Sequence, residues 1–132
     1  MKYFICELEG VKLGIPSEQT EKIIPQARFQ TSAFETEGDE TLFISLPVLF
    51  KLKNISAPHG LVLKSDKPAK NILLTPKIDI ELEIPEENIH GLPESFHVPF
   101  YFLKGVYFYE QSMILVLDTE KLLESTGRFS PS

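Results

Sequence analysis

The sequence predicts an all-β protein with a few short helices, arranged as a barrel or a sandwich. Three observations carry that reading. Apolar and polar residues alternate with a period of two in several short runs, most cleanly where Ile78, Ile80, Leu82 and Ile84 interleave with Asp79, Glu81 and Glu83. Turn residues punctuate the chain, with seven glycines and ten prolines in 132 positions. Finally, Met113 to Leu117 contains no polar residue, as expected of a strand flanked on both sides within a sheet. No repeat of the length used by solenoids is present.

The elements follow in order. Phe4, Cys6 and Leu8 alternate with Ile5, Glu7 and Glu9, and Lys12 to Ile15 resumes the extended pattern. Residues 3 to 15 therefore predict a hairpin with its turn at Glu9-Gly10. Ser17 is placed to cap a helix of about two turns through Glu18, Glu21 and Ile24, stopped by Pro25. Residues 26 to 40 lack a period and gather polar residues and glycine, the pattern of a long surface loop. A strand follows at Thr41 to Ser45, then a helical turn at Pro47-Val48-Leu49-Phe50 and a polar connection from Lys51 to His59.

Leu61-Val62-Leu63 and Ile72-Leu73-Leu74 flank Ser65-Asp66-Lys67-Pro68 and predict a second hairpin. After the amphipathic strand, Pro85 to Ile89 reads as a turn and Gly91-Leu92-Pro93 as a loop. Phe100 to Phe102 and Gly105 to Tyr109 lead into the apolar strand at Met113. Asp118 is set to cap a closing helix, with Glu120 at its positive end and Gly127 past its end.

Composition narrows the function. The length suits one domain, and 42% apolar residues suffice for an ordinary core. A net charge of −6 without a basic patch argues against nucleic acid as a partner. The single cysteine, Cys6, cannot form an internal disulfide, so the core must hold the fold, as in a cytosolic protein. The N-terminus enters a strand at once, and no apolar run has the length of a membrane span or a signal segment. A cytoplasmic protein without membrane insertion is expected.

Catalytic chemistry finds little support. His59, His90 and His97 are scattered through loops far from Cys6, whereas zinc needs ligands at close spacings. Cys6 sits on a strand face with Phe4 and Leu8 and reads as a small core residue. The glycines are isolated, so no phosphate-cradling loop forms. Acidic groups at Glu35 to Glu40, at Asp79-Glu81-Glu83 and at Glu86-Glu87 read as solvated faces. No catalytic residue, metal ligand or cofactor is predicted. Half of the fourteen aromatic residues fall between Phe96 and Tyr109. Core packing accounts for most of them, because a base-stacking platform would need more interleaved positive charge than Lys104 and His97 supply. Tyr101 and Tyr107 are the rings expected at a protein interface.

The segment Tyr3 to Gly10, then Leu13-Gly14-Ile15-Pro16 and Glu21-Lys22-Ile23-Ile24, resembles the opening of CheW-like domains. The end, from Gly105-Val106 through Met113 to Leu117 and Asp118-Thr119-Glu120-Lys121-Leu122-Leu123, is similar to that family's closing strands and helix. Between them, Gly60 to Leu63, Asn71 to Leu74 and Ile84 to Ile89 follow the family's central order. The resemblance implies two intertwined five-stranded SH3-like β-barrels sharing a core, forming a single domain over residues 1–127 with a frayed tail at 128–132.

The resemblance also implies a non-enzymatic adaptor in bacterial two-component signalling. Such an adaptor couples the cytoplasmic tips of chemoreceptors to the regulatory domain of a chemotaxis histidine kinase, and is recruited to receptor arrays at the membrane. The chain is too short for a kinase or a receiver domain, so a free-standing coupling protein is expected. The departures from the family lie at one place above all. Where coupling proteins carry "Asn-Leu-Arg-Gly", this chain has Glu37-Gly38-Asp39-Glu40-Thr41, which reverses the local charge. Thr75-Pro76 also replaces the family's usual Asp.

Partner-binding candidates are therefore Thr20 and Lys22 on the short helix, with Asp39, Glu40 and Thr41 at the altered stretch. Two alternatives remain: a divergent CheW-like barrel outside chemotaxis, or a small barrel that binds a ligand. The mark of the latter is a contiguous basic or pocket-forming surface.

Overall fold

The computed structural model describes residues 1–26, 30–38, 40–52, 55–65, 68–97 and 99–126. Its strands are β1 (Lys2–Leu8), β2 (Val11–Pro16), β3 (Thr20–Pro25), β4 (Phe34–Glu37), β5 (Thr41–Ser45), β6 (His59–Leu63), β7 (Lys70–Thr75), β8 (Lys77–Glu83), β9 (Leu103–Tyr109) and β10 (Ser112–Leu117). Two short helices, α1 (Leu46–Leu49) and α2 (Thr119–Glu124), complete them, with single 3-10 turns at Ser17–Gln19, Glu86–Asn88 and Glu94–Phe96.

The strands form two five-stranded sheets, ordered β8-β1-β2-β10-β9 and β3-β6-β7-β5-β4. The first uses both ends of the sequence and the second its middle, so the chain leaves one sheet after β2 and re-enters it at β8. Each sheet has one parallel pair, β10 with β2 and β5 with β7. Both hairpins fall where the sequence puts them. Glu9 and Gly10 have φ of 45° and 84°, the left-handed pair that a two-residue turn matched to strand twist requires. β10 is an internal strand, as its apolar sequence predicts.

Leu8, Leu13 and Ile15 of the first sheet meet Leu42, Ile44, Leu61 and Leu73 of the second in a central cluster closed by Phe102, Leu117 and Leu122. The opposite faces build separate clusters: Tyr3, Ile5, Ile84, Ile114 and Val116 in one, and Phe43, Ala57, Val62, Ile72 and Leu74 in the other. The fold is thus all-β with two subdomains and a shared core. Strict alternation along β1 sends Tyr3 and Ile5 to one face and Cys6 and Leu8 to the other, and all four are buried because each face meets its own cluster.

Two expectations are corrected. The helix predicted from Ser17 is only a 3-10 turn over Ser17–Gln19, after which Thr20–Pro25 is strand β3. A two-turn helix is marginal alone, while the β-branched Thr20, Ile23 and Ile24 suit a ladder with β6. Pro25 ends that ladder, where its missing N–H costs little. The loop predicted over 26 to 40 contains β4, whose Phe34 packs on the central core opposite Ile44. The clean alternation over Ile78 to Ile84 does form a strand, β8, and because it lies at the edge of its sheet Ile80 is half exposed. The tip at Asp66-Lys67, the helix stop at Gly127 and the tail at 128–132 lie outside the described residues.

Caps hold the helices. Ser45 Oγ accepts from Val48 N at 3.3 Å, and Asp118 Oδ1 accepts from Lys121 N at 3.1 Å. The second cap hangs Leu122 into the core.

Candidate functional site

Four of the five predicted partner-binding residues, Thr20, Lys22, Glu40 and Thr41, lie at one end of the second sheet. Thr20 pairs with Leu63 on β6, Val62 pairs with Ile72 on β7, and Lys70 at the start of β7 pairs with Thr41 on β5. The register therefore carries Thr20, Lys22 and Thr41 to the same edge of the ladder, although β3 and β5 are three strand spacings apart, about 14 Å. Lys70 stands between the two groups. Its ammonium lies 3.7 Å from Glu21 on β3, and its backbone N–H donates to the Glu40 carbonyl at 2.7 Å. Sequence reasoning missed this residue, because nothing local marks Lys70 as the bridge between Glu21 and Glu40.

The candidates differ in what they offer a partner. Lys22 and Glu40 are exposed and Thr41 is half-buried. Thr20 corrects the surface reading: it is buried at the start of β3, and its hydroxyl donates to the Pro16 carbonyl at 3.2 Å. It shapes the bend from β2 into β3, and its side chain faces no partner. Asp39 lies outside the described residues. Ile23, 44% exposed on the free edge of β3, supplies an apolar contact beside Lys22. The charges here, Glu21, Lys22, Glu40 and Lys70, are mixed in sign, and exposed pairs of this kind select partners more than they add affinity.

A second feature is an apolar groove of about 470 Å³ on the first sheet. Val11, Val106, Phe108, Met113 and Leu115 from the strands line it, together with Leu92, Pro93, Phe96 and Phe100 from the preceding loop. Phe50 at the end of α1 closes the base, edge-on to Phe102 at a centroid distance of 5.4 Å. The aromatic-rich segment thus divides: Phe102 is core, whereas Phe96 and Phe108 are 43% and 60% exposed. Tyr101 and Tyr107, the rings expected at an interface, are half-buried. Alternation along β9 turns Tyr107 and Tyr109 onto the cluster around Tyr3 and leaves Phe108 outward.

The loop beside the groove is fastened from two sides. Tyr3 donates from its buried hydroxyl to Glu86 Oε1 at 2.8 Å, and Lys104 pairs with the other carboxylate oxygen. The lysine, with the Tyr3 hydroxyl, holds the Glu86 carboxyl below the usual carboxylate range, while burial and that carboxylate push the Tyr3 phenol up. Further along, His90 and Val106 exchange backbone hydrogen bonds of 2.8 Å each way, so the loop caps the edge of β9. Thr119 donates to Gln19, tying α2 to the turn before β3.

For reaction chemistry the arrangement offers little. Burial raises the Cys6 thiol to about 12, which suppresses the reactive thiolate. Among the described residues, no group of three or more His, Cys, Asp or Glu could hold a metal ion. None of the described helices is long and apolar enough to cross a membrane.

Two five-stranded sheets interlocked through a common core, with a closing strand and capped helix, define a CheW-like fold. No family model matches the sequence, and no curated protein matches it. Among solved structures, the chain is similar to the scaffolding protein TtCheW from Thermoanaerobacter tengcongensis. The two share a TM-score of 0.67 at 12% identity, over 88% of this chain and 82% of that chain.

Proposed function

We propose that this chain is an adaptor that couples chemoreceptor tips to the regulatory domain of a chemotaxis histidine kinase, assembling partners without making or breaking a bond. The observation that carries the reading is the likeness in fold to a scaffolding protein over 88% of the chain. The mixed-charge end of the second sheet, with Lys22, Lys70, Glu40 and Thr41, supports it as a polar rim of the kind that sets partner choice. In this reading the protein works in the cytoplasm and is drawn to receptor arrays. The acidic stretch that replaces the family's arginine redirects it to a receptor set of its own.

The test is titration of the isotope-labelled protein with a chemotaxis kinase regulatory domain and, separately, with a receptor tip. The expected result is saturable amide shifts with each, those from the receptor including Lys22, Glu40 and Thr41. Absence of shifts with both, up to high-micromolar concentrations, would sink the adaptor reading.

A further inference from the structure

The mark of a ligand-binding barrel is a contiguous basic or pocket-forming surface, and the fold assembles one that the linear sequence hides. Among the described residues that line the apolar groove, His90 is the one titratable group. At about 470 Å³ it falls within the range of small-molecule sites. Its lining includes the most exposed large apolar side chains of the described residues, Phe108 and Met113.

A second cleft, of about 260 Å³, shares Gly91, Leu92, Phe100 and Leu103 with the groove. The residues it adds are His97, Tyr101, Lys104 and Lys121, and none of the described residues that line it is a carboxylate. That is a local reversal in a chain of net charge −6. Of the two ammonium groups, Lys104 is paired with Glu86, whereas Lys121 makes no ion pair among the described residues. An apolar slot therefore adjoins a small polar cleft with a spare positive charge.

We infer that this paired surface binds a medium-chain fatty acid anion, the hydrocarbon lying in the groove over Phe108 and Met113 and the carboxylate meeting Lys121. The division of chemistry supports one amphiphile over two separate ligands. Among its described lining residues the groove offers a headgroup only His90, whereas the cleft is smaller and more polar than a hydrocarbon chain favours. Lys121 projects from α2, which Asp118 caps and Leu122 anchors in the core, so its charge is presented from a rigid element. This site lies on the first sheet, away from the candidate partner residues on the second, and does not depend on the adaptor reading.

The experiment titrates the full chain with octanoate, decanoate and dodecanoate below their micelle concentrations, read by amide shifts. Saturable shifts at Val106, Phe108, Met113 and Leu115 are expected, with affinity rising about two- to fourfold per added methylene until the groove is filled. Dodecanol should bind about tenfold more weakly than dodecanoate, and Lys121→Gln should remove most of that difference. Met113→Glu, at an exposed position that leaves the core intact, should abolish the shifts at unchanged thermal stability. No saturable shift with any acid up to millimolar concentration overturns the inference. So does equal binding of dodecanol and dodecanoate, or a response to the Met113→Glu protein as strong as the wild type's. Shifts at these residues produced only by a kinase domain or a receptor tip overturn it too, since the groove is then a protein-docking surface.

Discussion

The Tyr3 hydroxyl donates to Glu86 Oε1 at 2.8 Å, joining the first strand to a turn more than eighty residues later. The bond matters because the turn Glu86–Asn88 starts the loop that covers the edge of β9 and walls the apolar groove. Removing the hydroxyl leaves the ring in place against Ile5 and Ile114 while freeing the loop. Tyr3→Phe is expected to cost about 1 kcal/mol of stability. Urea denaturation measures it.

The same contact makes stability sensitive to acid. Lys104, and then Tyr3, lower the Glu86 pKa in the folded state. A carboxylate depressed on folding contributes stability that is present above its unfolded pKa, about 4.3, and is lost as pH falls through the folded value. Wild type should therefore lose stability on the acid side of that pH more steeply than Glu86→Gln. Melting temperatures of the two proteins between neutral pH and pH ~3 test this, and parallel curves would refute it.

Gly105 sits where any side chain would collide with the covering loop. A Cβ there would come within 2.3 Å of the His90 carbonyl oxygen and 2.7 Å of Ile89 Cγ2. Gly105→Ala should break the reciprocal His90–Val106 bonds and cost about 2 kcal/mol or more. Faster hydrogen exchange at the amides of His90 and Val106 is the specific sign. Gly91→Ala, with open space around the added carbon, is the control and should be close to neutral.

Thr20 and Lys22 are neighbours on β3 with opposite roles. Thr20→Val removes a buried hydroxyl that holds the Pro16 carbonyl, so it should lower stability by about 1 kcal/mol and leave affinity per folded molecule unchanged. Lys22→Glu should leave the melting temperature within error and weaken partner binding, if the proposed adaptor surface is right. If the proposed adaptor reading is right, Asp39→Arg, which reverses the charge at the acidic stretch, should change receptor binding and spare kinase binding. Calorimetric titration of the three variants distinguishes these outcomes.

The cap on the last helix can be tested alone. Asp118→Ala deprives the Lys121 N–H of its partner and should cost about 1 kcal/mol, seen as a lower melting temperature.

Local chemistry made much of this fold legible. The Glu9-Gly10 turn needs two left-handed residues, the Asp118 cap needs a short side chain with an acceptor oxygen, and β10 needs an unbroken apolar run. Each is a short-range requirement visible in adjacent letters. Where local signals conflicted, tertiary pairing decided. Ser17 and Pro25 frame a plausible helix, but β3 gains more from its ladder with β6 than two helical turns could supply. β4 carries one core residue, Phe34, and exists because β5 offers it an edge.

The sequence by itself determined the strand-and-turn order outside β3 and β4 and the apolar runs that feed the core, because hydrophobic period and turn stereochemistry act over a few positions. Only the tertiary structure decided which residues meet at distance. It set Lys70 between Glu21 and Glu40, buried Thr20, and built one groove from Val11, Phe50, Leu92, Phe108 and Met113. Such neighbours are fixed by sheet order and by packing between sheets, which no local pattern encodes.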